Sequence, residues 1–313
     1  MGIEPSTNSS APPPETPSQP DGFLHTILLK GEGLRAGWRL LVYSIFVAVL
    51  WFGMELLIYQ FPAPTRGQFS FCFQFAQELA SFAAFYCAAL VMARIEKRPA
   101  GIYGLPAQDA FKRLFWQGCL FGFCEVSVLI GLIALCQSYS FGSLALHGTE
   151  ILRWGSLWAV FFLVVGLSEE FTFRGYTQFT LADGIGFWPA AVALSVLFGL
   201  IHRYNPGETK MGIAGVMLVG LFWSFTLWRT GSLWFAVGMH ASFDFGETFL
   251  YSVPDSGFSF PGHLSNATLH GPAWVTGGTP GPEGSVFDFL IVLLFFYIFH
   301  RMYPAGRASR NLS

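Results

Sequence analysis

From residue 38 onward the chain alternates long apolar runs with short polar breaks, and the runs are too long for the amphipathic helices of a water-soluble fold. A hydrocarbon core of ~30 Å needs about 20 apolar residues to cross it as a helix. Eight segments meet or approach that length: Trp38–Gln60, Phe71–Val91, Leu114–Cys136, Trp154–Leu181, Trp188–His202, Met211–Trp228, Leu233–Tyr251 and Val286–Tyr303. The expected fold is therefore all-α, a polytopic transmembrane helix bundle of about eight spans.

Composition supports this. Of 313 residues 53% are hydrophobic and only 12% charged, against about 25% charged in ordinary soluble domains. A net charge of −2, with no basic run, excludes a nucleic-acid partner. The five cysteines all lie in apolar stretches without paired spacing, so neither a disulfide framework nor a CxxC zinc motif is expected.

Lys and Arg set an expected orientation. With eight spans and both termini on one side, the opposite side holds only Arg66, Arg153, Arg203 and Lys210, and Arg174 lies inside a span. The bias assigns both termini to the cytoplasm. Residues 1–36 read as a Pro/Ser-rich disordered cytoplasmic tail with a juxtamembrane segment, 37–303 as the membrane domain and 304–313 as a short basic tail. The tail lacks a basic stretch leading into an apolar one, so it does not read as a cleaved signal. A bacterial inner (plasma) membrane protein is the expected setting. The run 252–284, which has no Lys or Arg and many Gly, Pro, Asn and Ser, is then an outer loop.

Ionisable residues within spans are costly and mark function by default. Glu55, Glu247 and Asp288 fall near segment ends, where an interface or packing role is expected. Glu78 and Glu125 lie deeper, with no partner on their own helices. Three other places carry polar residues in helical register. In Ser168-Glu169-Glu170-Phe171-Thr172-Phe173-Arg174, Glu170 and Arg174 are four apart and can pair. Glu169 is turned away by about 100°. Phe198-Gly199-Leu200-Ile201-His202 closes the fifth segment, and His240 and Asp244 share a face of the seventh. Counting inward from Leu181, Trp188 and Gly231 at about 1.5 Å per residue puts Glu169 at ~18 Å, His202 at ~21 Å, His240 at ~13 Å and Asp244 at ~19 Å. These four occupy one slab of the bilayer.

Such a group suits amide hydrolysis, which needs an activated water, an oxyanion donor and a proton for the leaving amine. Glu169 and His202 could activate the water, while His240 and Asp244 could serve the oxyanion. The same side chains also suit a metal site, with Glu169, His202 and His240 as ligands of Zn2+; the alternative is a metal-free water and no cofactor. GxSxG, HExxH and an intramembrane Ser-Lys dyad are all missing. A non-enzyme would use the same cluster as a proton or ion relay in a transporter or scaffold, although no inverted repeat is visible.

At these residues the chain resembles the CPBP family, the CAAX-protease and bacteriocin-processing proteins. That family carries EExxxR, FxxxH and HxxxN or HxxxD, found here as Glu169-Glu170-x-x-x-Arg174, Phe198-x-x-x-His202 and His240-x-x-x-Asp244 in that order. The resemblance spans roughly Leu152 to Leu250. It implies an eight-helix intramembrane endopeptidase in which the residues matching Glu169 and His202 activate water and those matching His240 and Asp244 stabilise the oxyanion. Glu170, Arg174 and Phe198 would support them. The family has been described both as metalloproteases and as glutamate proteases, and the glutamate type is the reading taken here. Asp244 departs from the Asn usual in eukaryotic-type members. Cleavage of prenylated CAAX tails is the family's eukaryotic and archaeal work; for a bacterial member the expected substrate is a membrane-associated peptide or protein.

Overall fold

In the computed structural model, which describes residues 29–30, 33–60, 70–99 and 101–304, the chain is almost wholly helical. The bulk of both expected tails, and Arg66, lie outside the described residues. Residues 1–35 form a unit separate from 36–313. Its described part is a two-residue antiparallel ladder, β1 (Leu29–Lys30) with β2 (Gly33–Leu34), registered Leu29 to Leu34.

The larger unit opens with α1 (Ala36–Ile58), α2 (Phe71–Ile95) and α3 (Arg113–Leu135). Then follow α4 (Thr149–Arg174), α5 (Tyr176–Ile185), α6 (Phe187–His202), α7 (Lys210–Thr230), α8 (Trp234–Phe245), the short α9 (Ala273–Thr276) and α10 (Val286–Met302). Every expected segment contains a helix. Among the described residues five are long and apolar enough to cross a membrane by themselves, counting α4 and α5 together; α6 is shorter. α1 is the clearest lipid-facing element, because Ile45, Val49, Phe52, Leu56 and Leu57 are all exposed. Exposed apolar side chains all along a helix need a hydrocarbon solvent.

The helix ends follow local chemistry. Ser70, Thr209 and Ser285 each accept a hydrogen bond from a backbone N–H in the first turn of α2, α7 and α10, satisfying donors the helix leaves open. Gly231 closes α7 at φ +70°, a left-handed cap that only glycine adopts without cost. The fourth expected segment, Trp154–Leu181, is not one helix. It breaks at Gly175, whose ψ of −132° leaves helical space immediately after Arg174. α5 turns away there and fastens elsewhere.

That fastening is a polar cluster at one end of the bundle. Arg39 on α1 meets Glu96, at the end of α2, and Asp183 on α5, each at 2.7 Å. Tyr176 and Tyr103 also donate to Glu96. One half-buried carboxylate thereby joins the ends of three elements through charge-assisted bonds.

The closest helix pair is α3 against α8, and it is made by small residues. A β-carbon at Gly118 would strike the Phe235 carbonyl, one at Gly122 the Met239 carbonyl, and one at Gly238 the Phe115 carbonyl. Glycine on both partners lets the backbones touch, the usual route to tight packing inside a bilayer. The consequence is positional: α8, which carries His240 and Asp244, is clamped between α3 on one side and α4 on the other, where Gly166 lies against Val237 and His240.

Beyond α8 the helix continues as a π turn, Gly246–Leu250. The loop 252–284 that follows is built rather than loose. Its β4 (Thr268–Leu269) pairs with β3 (Tyr139–Ser140) from the α3–α4 connection, and Leu144 bridges to Ser265.

Candidate active site

α4 presents two adjacent carboxylates with different fates. Glu170 is fully buried and accepts from Arg174 Nη1 at 3.2 Å, as the i, i+4 spacing implies. Glu169, one residue round the helix, is a third exposed and faces a cavity. Arg174 is fully buried as well, and its guanidinium stands over the ring of Phe198 at 4.4 Å and near Trp223 at 5.3 Å. A buried cation so placed gains from aromatic faces as well as from its carboxylate. The absence of a side chain at Gly220 makes the room, since a β-carbon there would collide with Arg174 Nη2.

His240 is where the structure adds most to the spacing argument. Its Nδ1 lies 3.0 Å from Glu170 Oε1, so Glu170 serves Arg174 and His240 together. With Nδ1 held there, Nε2 points to Glu169 Oε2 at 3.7 Å and to Asp244 Oδ2 at 3.4 Å. Trp223 stacks on the imidazole at 4.6 Å and 14°, which fixes the ring plane. The orienting partner of His240 is therefore Glu170 on the neighbouring helix, and Asp244 sits on the cavity side of the ring.

His202 approaches from α6. Its Nδ1 meets the Phe198 carbonyl at 2.8 Å, the natural i−4 acceptor at a helix end, and its ring packs edge-on to Phe198 at 4.6 Å. Phe198 thus touches both Arg174 and His202, linking two of the three motifs. Among the described residues no direct hydrogen bond or ion pair joins His202 to Glu169; the cavity lies between them.

That cavity has a volume of about 330 Å³ and is lined by Glu169, His202, His240 and Asp244. One wall is aromatic and apolar, with Phe161, Phe162 and Val165 from α4 and Phe258 and Phe260 from the 252–284 loop. Another wall is acidic: Glu78, Glu125 and Asp288 reach it from α2, α3 and α10. Reading each span alone leaves Glu78 and Glu125 without company; here the company comes from other helices. Asp288 and Glu247, expected near water at segment ends, are buried, Glu247 completely. Asp255 and Glu283 of that loop also line the cavity. Burial pushes the Asp255 carboxyl up to about 7, against the lowering effect of Thr248 and His240. Glu283 is raised well above the carboxylate range, again by burial first. No pattern in the sequence marks these two; a lone acid in a Gly- and Pro-rich run was the sole sign.

The three side chains considered as zinc ligands do not form a ready cage. Glu169, His202 and His240 do not bring one donor atom each within 4.8 Å of one another.

A family model described as type II CAAX prenyl endopeptidase Rce1-like matches residues 152–246. All three motifs fall inside that stretch, in agreement with the CPBP resemblance. Neither a curated protein nor a solved structure gives a significant match to the chain.

Proposed function

We propose that this chain is an intramembrane endopeptidase of the CAAX-protease type, and that it cleaves a membrane-associated peptide or protein with a water activated by Glu169 and His202. The observation that carries the reading is the His240 arrangement. A buried Glu170 holds Nδ1, so Nε2 faces a carboxylate-lined cavity inside the bundle, across from His202. The family match over residues 152–246 supports protease chemistry.

The chemistry runs on this chain's own groups. Water between Glu169 and His202 loses a proton to Glu169 and adds to the scissile carbonyl. The oxyanion forms beside His240 Nε2 and Asp244. A protonated imidazole donates to it through Nε2 while Nδ1–H stays on Glu170, and donors aimed at developing charge act strongly where water is sparse. Collapse of the tetrahedral adduct returns the proton from Glu169 to the leaving amine, so the glutamate ends as it began. The aromatic wall suits an apolar segment of substrate.

The test is cleavage of a lipid-anchored peptide library by the purified full-length chain in proteoliposomes. Activity lost in His202→Ala but retained after treatment with a zinc-selective chelator supports the reading. Inactivation by that chelator, reversed by zinc, would replace free water with metal-bound water. The acidic wall of Glu78, Glu125 and Asp288 is what a proton relay would use; proton flux without any cleavage would move the protein to that class.

Asp244 offers a second check. Asp244 lies 3.4 Å from Nε2 on the cavity side and can donate to the oxyanion only as the protonated acid, whereas an amide there always carries donor hydrogens. Asp244→Asn is expected to keep most activity, and Asp244→Ala to lose at least about 10²-fold, the usual effect of removing an oxyanion donor. Comparing kcat for both variants on one substrate decides it. Equal, severe losses would mean that the negative charge itself is needed.

A further inference from the structure

We propose that Glu247, Asp255 and Glu283 form a binding site for a hard divalent cation of the Ca2+ class, at the outer edge of the cavity and apart from the catalytic group. One carboxylate oxygen from each lies within 4.8 Å of the others. Two oxygens on opposite sides of one Ca2+ stand about 4.8 Å apart at bonds of ~2.4 Å, so oxygens this close can share one ion, and Ca2+ accepts irregular carboxylate geometry that Mg2+, which demands a near-ideal octahedron and keeps its waters, does not. No nitrogen or sulfur donor takes part, and an all-oxygen set selects hard cations over zinc.

A group of acids would mean little without the state of Glu247. It is fully buried, and neither of its oxygens has a hydrogen-bond partner, nor does Glu283 Oε1. The other two acids are partly occupied: Thr248 Oγ1 donates to Asp255 Oδ2 at 3.1 Å and Ser256 Oγ to Glu283 Oε2 at 3.4 Å. The free oxygens are thus the ones a ligand would take. An unpaired buried carboxylate is expensive, and two more acids beside it add repulsion that a divalent cation would cancel.

The position gives the site a purpose. Glu247 sits in the π turn that prolongs α8, seven residues after His240. Single π turns inside helices commonly accompany functional sites. Asp255 follows in the loop, and Glu283 lies in the 3₁₀ turn just before α10. A cation there would tie the end of the helix carrying His240 and Asp244 to the loop that supplies Phe258 and Phe260 to the cavity wall. It would hold the wall in place without touching substrate.

The experiment uses the purified full-length chain in detergent, stripped with EGTA and titrated with CaCl2 by calorimetry, with MgCl2 for comparison and thermal unfolding in parallel. Expected are one saturable Ca2+ site, at least about tenfold weaker response to Mg2+, and a rise in Tm of roughly 3 °C or more at saturation. Glu247→Gln and Asp255→Asn should each abolish both effects. Because Glu247→Gln removes one of three like charges, it should fold without the ion and be no less stable than the stripped wild type. Glu169→Gln should bind Ca2+ as the wild type does. Absence of saturable binding, binding that survives Glu247→Gln, or binding lost in Glu169→Gln would each overturn the assignment. None of these readouts depends on proteolysis, so failure of the peptidase reading leaves this result standing, and the reverse.

Discussion

Glu169→Gln should abolish turnover while leaving the fold nearly untouched. Glu169 is the member of the carboxylate pair that faces the cavity, with a third of its side chain exposed and no salt bridge to Arg174. Gln keeps its size and loses the proton acceptor. Removal of a general base typically costs about 10²–10⁴ in rate, and here the same group also returns the proton to the leaving amine, so at least about 10³-fold is expected. The measurement is kcat on a cleaved peptide beside a thermal melt of the same preparation. A melt within about 2 °C of wild type, by the usual scale of surface effects, combined with near-normal kcat, would remove Glu169 as the base.

The opposite profile is expected at Glu170. It is fully buried and holds both Arg174 and His240. Glu170→Ala strands a buried guanidinium, and breaking a buried pair by removing one partner costs on the order of 3–5 kcal/mol. At about 2–4 °C per kcal/mol the melt should fall by roughly 10 °C. The rings of Phe198 and Trp223 around Arg174 soften this loss without replacing the carboxylate. Activity should fall as well, because the His240 ring loses the partner that aims Nε2. Glu170→Gln keeps an oxygen for Nδ1 and should recover part of the rate while remaining destabilised. If Glu170→Ala instead melts like wild type with only kcat reduced, Glu170 belongs to the chemistry and not to the scaffold. The contrast between adjacent glutamates is the strongest consequence of the geometry.

How much of this was legible beforehand depends on whether the information is local. The membrane class and the helical segments are local. Twenty apolar residues in a row admit few other solutions, since a backbone in hydrocarbon must satisfy its own hydrogen bonds. Pairing of Glu170 with Arg174, and the shared face of His240 and Asp244, follow from 3.6 residues per turn. The placing of Glu169, His202, His240 and Asp244 at similar depth follows from rise per residue, and the structure sets all four on one cavity.

Helix pairing is not local, and it decided the rest. That Glu170 orients His240 depends on α4 lying beside α8, which Gly166 permits; nothing within either segment reveals it. The break after Arg174 depends on α5 finding Arg39 through Asp183, a partner 144 positions away. Glu78, Glu125 and Asp288 look solitary along the chain because their neighbours lie on other helices. The 252–284 loop was the least legible part, since Gly and Pro report turns and say little about what the turns enclose. The sequence by itself determined a helical membrane protein with three polar motifs, because helix formation and insertion depend on contiguous residues. Only tertiary structure decided that Glu170 also holds His240, that Glu78, Glu125 and Asp288 line the same cavity, and that Glu247, Asp255 and Glu283 meet, because those outcomes rest on side-chain contacts between distant segments.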